Sequence, residues 1–261
     1  MNSKLSEIQV RPYSQLPEMN LGWLSLKDHF IATVGPYSGR GEQLKNLLVL
    51  ADAKIQPKSR FPDHPHNEME ILTWVVHGKL QHLDDKGTNQ EVPAEHLQLM
   101  SARDGIFHAE GNLSDQPLRL LQIWIHPNAK SGTPVVQQAG LTQKGFNLLA
   151  GPSAAPLNIR QDVWLYAAKI EGDEQAFDIP EDKFAYAVSI GDLSWNGKEI
   201  KDGDGILAQS GKLGIKGNGQ AIVILQKLLS YEFKPAEKQH AIVRRHFEVF
   251  HELKTIFKHR A

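Results

Sequence analysis

Residues 61–111 read FPDHPHNEMEILTWVVHGKLQHLDDKGTNQEVPAEHLQLMSARDGIFHAEG, and this stretch decides the fold. Its apolar runs are short: MEILTWVV (69–76), KLQHLD (79–84), HLQLMS (96–101) and IFHAE (106–110). Runs of that length, bounded by Gly, Pro, Asn and Asp, read as strands. Asp85-Lys86-Gly87 supplies a hairpin signal between two of them. The stretch also carries two residue pairs, His64 with His66 and His108 with Glu110, each with one intervening residue. Residues two apart on a strand point to the same face, so each pair aims two donors at one point. Three imidazoles and a carboxylate form a coherent donor set for Fe(II), Mn(II), Ni(II), Cu(II) or Zn(II). One His-x-His among twelve histidines is a weak signal. The second pair, inside another strand-like run, gives it weight.

Pro65 has no N–H to give to a ladder, so the first pair belongs on an edge or at a strand entry. Glu70, four residues beyond His66, shares its parity on a continuous strand and is a candidate ligand, ligand partner or general base. Asn67 and Glu68 are placed to orient the histidines by hydrogen bonding. Glu110 can both ligate and accept a substrate proton. Four protein donors leave a six-coordinate ion two open positions, which suit a bidentate substrate or a substrate plus O₂. A zinc ion closed by four ligands would instead be structural. His77 and His82 lie near the hairpin and read as surface residues, whereas His96 precedes a strand and can line the pocket. Trp74, Leu99, Met100, Ile106 and Phe107 are candidates for apolar walls, although alternation admits only some of them.

Outward from this stretch the strand habit continues, with LLVL (47–50) before it and LRLLQIWIH (118–126) after it. A looser connection runs from Pro127 to Pro156. The second half follows with VWLYAAKI (163–170), FAYAVSI (184–190), GILAQ (205–209), KLGIK (212–216) and AIVILQKLL (221–229). Gly191-Asp192, Asn196-Gly197, Gly203-Asp204-Gly205 and Gly217-Asn218-Gly219 read as its turns. No histidine occurs between Asp162 and Ser230, so the metal site is expected in the first half alone. From Ala236 to His259 the chain reads as a basic amphipathic helix, with Val243, Phe247, Phe250 and Phe257 near one face. It either closes over the core or meets a protein partner or membrane surface.

Charge and composition narrow the classes. The 261 residues carry 29 basic and 30 acidic side chains, a balance with no electrostatic footprint for nucleic acid or anionic membrane. The absence of cysteine excludes disulfides, thiolate ligands and cysteine nucleophiles. The N-terminal MNSKLSEIQVRPYSQLPEMN lacks the apolar run of a signal peptide, and no apolar stretch approaches the roughly 20 residues that span a bilayer. A cytoplasmic monomer is expected.

The strings HPHNEMEILTWVVHGKLQHLDD and PAEHLQLMSARDGIFHAE resemble the pirin family of the cupin superfamily, whose bacterial members include quercetin 2,3-dioxygenase-like proteins. The segments LGWLSLKDHF (21–30) and LQIWIHP (121–127) are similar to the family's flanking strands. The resemblance implies an all-β protein of two tandem cupin barrels, here followed by a C-terminal helix. It implies a metal-binding domain over 1–130, a second cupin without metal ligands over 131–230, and a tail over 231–261. By motif position it implies one metal on His64, His66, His108 and Glu110, most often iron, with Zn, Ni, Mn or Cu able to occupy such a site. The implied activity is opening of a flavonol ring with O₂ and release of carbon monoxide, with Glu110 or Glu70 as base. Other members are regarded as regulators that bind protein partners. Two departures stand out: Pro-Gly-Asp becomes Pro93-Ala94-Glu95, and Ala-Gly-x-Gly becomes Ala102-Arg103-Asp104-Gly105. Lost glycines can reshape the pocket rim, and Arg103 can add charge there.

Overall fold

A computed structural model describes residues 4–31 and 42–228. The strands of its first half are β1 (Ile8–Arg11), β2 (Glu18–Asn20), β3 (Leu24–Ile31), β4 (Leu47–Ile55), β5 (Ser59–His66), β6 (Glu70–His77), β7 (Lys79–Asp84), β8 (Asn89–Pro93), β9 (His96–Ser101), β10 (Ile106–Asn112), β11 (Leu118–Ile125) and β12 (Val135–Gly140). The second half has β13 (Asn147–Gly151), β14 (Leu157–Asn158), β15 (Val163–Glu171), β16 (Gln175–Ile179), β17 (Lys183–Ile190), β18 (Leu193–Trp195), β19 (Lys198–Ile200), β20 (Gly205–Ala208) and β21 (Gly211–Lys227). The all-β expectation stands: a 3₁₀ turn at Tyr13–Gln15 is the one helical element among the described residues. The expected helix at 236–259 lies outside them.

A seven-stranded sheet, β12-β9-β6-β11-β4-β3-β2, faces a four-stranded sheet, β5-β10-β7-β8, and together they enclose the first barrel. The second half is built around β21, which pairs with β15 and β17 over one part of its length and with β16 and β18 over the other. The glycines at 217 and 219 therefore mark no reversal. Gly217, at φ +129°, bends the strand where it passes from one set of partners to the other. At Gly219 a Cβ would stand 2.1 Å from the Ile190 carbonyl oxygen, so the sequence favours glycine at a close crossing rather than at a turn. The halves also exchange their ends. β1 pairs with β20 of the second half, and β12, beyond residue 130, still pairs with β9 of the first.

The outer face of the seven-stranded sheet packs on the second half. Leu72, Leu99 and Ile123 from the first half share one buried cluster with Leu165, Phe184 and Ile224 from the second. Each such side chain contributes about 1.5–3 kcal/mol on burial. Trp74 sits in this layer, fully buried, and donates its Nε1–H to Gln220 Oε1 at 2.9 Å. Arg119 of β11 adds a polar tie, bridging the buried Asp52 of β4 to Asp202 of the second half.

Asp28 in β3 is 4% exposed, and desolvation pushes its carboxyl up to about 7. In the unfolded chain an aspartate releases its proton near pH 4. Between about pH 4 and 7 the folded chain therefore holds the extra proton, and stability falls as pH rises through that window. Asp28→Asn removes this contribution. Its gain over wild type is expected to be greatest at pH 8 and to shrink towards pH 4, read from urea unfolding of both proteins across that range. An equal difference at both pH values would refute the assignment.

Candidate metal centre

β5 is an edge strand, paired only with β10, which is where Pro65 is tolerated. Its register sets His64 opposite His108 and His66 beside Ile106. Past His108 the register shifts, and Glu110 lies opposite Phe61. β5 thus carries an extra residue at Pro62–Asp63, a bulge that re-aims its side chains. The bulge also exposes the Pro62 carbonyl, which accepts a hydrogen bond from His64 Nδ1 at 2.8 Å and leaves Nε2 facing inward. On its other side β10 runs unbroken against β7, placing Glu110 opposite His82 and His108 opposite Asp84.

The three rings of His64, His66 and His108 stand 4.3–4.9 Å apart by centroid. One nitrogen from each lies within 4.8 Å of the others. His82, His108 and Glu110 form a second grouping at the same tolerance, sharing His108. All five side chains are buried. Desolvation pushes the His108 imidazole well below its ordinary value, helped by the neighbouring His64 and His82, and lowers His82 as well. Both rings are therefore neutral and carry lone pairs. Desolvation pushes the Glu110 carboxyl up to about 7, opposed by a 2.7 Å hydrogen bond donated by Gln122 Nε2 to Oε1. Gln122 is oriented in turn by Thr73 Oγ1, which donates to its Oε1 at 2.8 Å.

These residues fit a divalent ion. His108 Nε2 and Glu110 Oε2 are buried acceptors with no hydrogen-bond partner, a costly condition that a cation between them would relieve. Borderline nitrogen donors with one carboxylate and no thiolate match Fe, Ni, Cu, Zn or Mn.

Several expectations need correction. His82 is fully buried, because β7 keeps its alternation to Asp84 and points Leu80 and His82 inward. Glu70 does not share the strand of His66: residues 67–69 form a turn with Glu68 at φ +51°, which breaks the parity. Glu70 shares the β6 face of Leu72 and Trp74, belongs to neither donor grouping, and accepts a 2.6 Å hydrogen bond from Ser101 Oγ. Desolvation raises its carboxyl to about 7. Glu68 forms an ion pair with Lys130 at 2.9 Å. His96 lies against Gly140 of β12, at the far edge of the large sheet, and His77 is exposed as expected. Of the proposed apolar walls, Met100 and Ile106 cluster with Ile71 and Trp124, whose ring meets His66 edge-on at 5.1 Å. Trp74 and Leu99 face the second half instead, and Phe107 is 56% exposed.

Gly111, directly after Glu110, lets β10 approach β5: a Cβ there would lie 2.4 Å from Arg60 Cα. Gly111→Ala is expected to cost about 1–3 kcal/mol by overpacking and to weaken metal binding by parting the two strands. Thermal unfolding and a metal titration together check this, and unchanged values in both would remove the glycine from the site's construction.

Residues 9–125 match the Pirin family, and residues 148–228 match the quercetinase C-terminal cupin domain. The chain belongs to the pirin family. A pirin-like protein of Caulobacter vibrioides is 33% identical over 210 residues, covering 76% of this chain and 90% of the relative. The quercetin 2,3-dioxygenase of Escherichia coli K12 is 33% identical over 205 residues, covering 76% and 88%. Among solved structures, YhhW from E. coli superposes with a TM-score of 0.77 at 28% identity, covering 87% of this chain and all of that one. A crystal structure of the same bacterial pirin in complex with nickel(II) gives 0.75 at 28%, covering 85% and 99%. Against the pirin pattern, the glycine replaced by Arg103 keeps its backbone requirement, since Arg103 sits at φ +45°. A side chain there costs about 1–2 kcal/mol, offset by hydrogen bonds from Arg103 to Ser101 Oγ at 3.1 Å and the Thr133 carbonyl at 2.8 Å. Its guanidinium is thereby tied to the Ser101–Glu70 pair and the 131–134 connection.

Proposed function

We propose that this pirin is a metal-dependent dioxygenase that opens a flavonol ring with O₂, its divalent ion held by His64, His66, His108 and Glu110. The observation that carries this reading is the pair of buried, unpartnered acceptors, His108 Nε2 and Glu110 Oε2, in a pocket shared with two further inward-facing imidazoles. The relatives named quercetin 2,3-dioxygenase support the substrate class, and the structure of the E. coli pirin in complex with nickel(II) supports a divalent ion. When bound, the ion supplies Lewis acidity towards a substrate hydroxyl and, for iron, redox access to O₂. Iron(II) is the proposed native ion, and the same donors suit Ni, Mn, Cu and Zn.

The chain's own residues supply the rest. Gln122 fixes Glu110 Oε1 and leaves Oε2 to serve the ion and the proton of the flavonol 3-hydroxyl in turn, one at a time. Removing the proton leaves an electron-rich flavonolate, the form that reacts with O₂. Met100, Ile106 and Trp124 exclude water on the His66 side and orient an aromatic substrate by contact. The test is to load the apoprotein anaerobically with Fe(II), add quercetin and air, and follow flavonol absorbance beside a His66→Ala control. Loss of absorbance in wild type alone supports the proposal. Metal at near one equivalent with quercetin unchanged refutes the dioxygenase reading.

A second reading, a metal-responsive regulator acting through protein binding, draws on one observation. Phe107 and Leu83 stand exposed on the outer face of the small sheet, and Phe107 adjoins His108 in β10.

A further inference from the structure

Behind His108 runs a chain of buried side chains that the four proposed ligands do not include. His82 Nε2 and Asp84 Oδ2 are 3.0 Å apart, and both side chains are fully buried. The other Asp84 oxygen accepts hydrogen bonds from the backbone N–H groups of Lys86 and Thr88 at 2.9 and 3.0 Å. A carboxylate so held accepts and does not donate, so the His82 proton sits on Nε2 and the lone pair on Nδ1. Two groups approach that lone pair, Gln98 Nε2 and His108 Nδ1, each at 3.4 Å. The Gln98 amide is oriented by its own carbonyl, which accepts from Gln90 Nε2 at 3.0 Å. With an acceptor at His82 Nδ1, the proton of His108 belongs on its Nδ1. The buried Nε2 of His108 is left as the base facing the other imidazoles.

We propose that His82 is a positioning residue that fixes His108 in its Nδ1–H form and so turns Nε2 towards the metal. Outer partners of this kind are worth roughly 10–100-fold in metal affinity. The grouping of His82 with His108 and Glu110 within 4.8 Å raises a rival, in which His82 ligates through Nδ1. The Gln98 N–H aimed at the same nitrogen opposes it, since a cation there would face a donor. The inference rests on metal binding by His64, His66, His108 and Glu110 and is independent of the substrate.

The experiment has two arms. Long-range ¹H–¹⁵N spectra of the metal-free wild type report which nitrogen of His108 carries its proton; Nδ1 is expected, and a proton on Nε2 overturns the proposal. Competition with a chromophoric chelator gives Ni(II) affinity for wild type, His82→Leu and His82→Asn. The leucine variant is expected to bind roughly 10–100-fold more weakly. The asparagine variant, whose amide oxygen can take the place of Nδ1, is expected to recover most of that loss. A leucine variant that binds as tightly as wild type refutes the proposal. An asparagine variant as weak as leucine makes His82 a ligand instead. If wild type itself takes up no Ni(II), the four-ligand reading fails, while the spectra still decide the role of His82.

Discussion

The His66→Ala protein is expected to lose more metal affinity than the roughly 10–100-fold that removal of an outer partner costs, and to leave quercetin at the rate of unloaded protein. His66 is 2% exposed at the end of an edge strand, 4.9 Å by ring centroid from both His64 and His108. Its removal leaves two imidazoles and a carboxylate of the proposed set, with the Trp124 ring, which offers no metal donor, as its edge-on neighbour at 5.1 Å. The fold should survive, since β5 remains paired with β10 through its backbone. The check is metal content after desalting, flavonol absorbance and thermal unfolding, measured together. Retained metal at one equivalent with unchanged turnover would remove His66 from the site. Lost metal together with a collapsed unfolding transition would show a structural defect rather than a missing ligand.

Arg119→Met should cost about 3–5 kcal/mol of stability, because it strands a buried charge. Arg119 Nη2 meets Asp52 Oδ2 at 2.7 Å, while Nη1 meets both oxygens of Asp202 at 2.8 and 2.9 Å. The Asp52 side chain is fully buried, so it cannot recover its charge by hydration. The two carboxylates hold the guanidinium charged against the desolvation that opposes it. Asp202 also accepts the backbone N–H of Gly191 at 2.8 Å, so the loss reaches into the second half. Arg119→Lys should lose less, since the ammonium still neutralises Asp52 but lacks the planar fork that reaches both carboxylates in fixed geometry. Pairing Arg119→Met with Asp52→Leu should recover much of the deficit, because the stranded charge then goes too. Urea unfolding of the single and double variants checks this. A single variant within about 0.5 kcal/mol of wild type, the range of ordinary surface changes, would show that water reaches Asp52.

The sequence carried the strands that depend on side-chain alternation and missed those that depend on backbone partners. Lys79–Asp84 and His96–Ser101 were legible to the residue, because apolar runs and the Asp85-Lys86-Gly87 turn bound them. Of Ser59–His66, only the end bearing His64 and His66 is legible as an edge or strand entry; the rest is not, since only pairing with β10 makes Arg60 and Pro62 extended. β2, with the sequence EMN, has one apolar side chain and is too short to show alternation. The same limit governed the site. Parity brought His64, His66 and His108 together, but it failed at Glu70, where a left-handed residue at Glu68 interrupts the strand without any glycine to signal it. His82 reads as a surface residue from its closeness to a hairpin, whereas the Leu80-His82-Asp84 alternation, equally present in the sequence, is what points it inward. The bulge that frees the Pro62 carbonyl for His64 depends on register between distant strands, which one sequence does not encode locally.

The pairing of β1 with β20 sets a condition on how this molecule comes into being. Ile8–Arg11, the earliest made of the described strands, has its hydrogen-bonding partner at Gly205–Ala208, near the end of the described residues. β21, the hub of the second half, is made later still. The small sheet that bears the candidate ligands, and the large sheet that faces it, can form while synthesis continues, but the second barrel waits, with one edge of its sheet already made and unsatisfied. Pairings so far apart in sequence close slowly and leave strand edges open meanwhile. During birth, then, the exposed edge to be guarded against association belongs to the half that has no candidate donor grouping among its described residues.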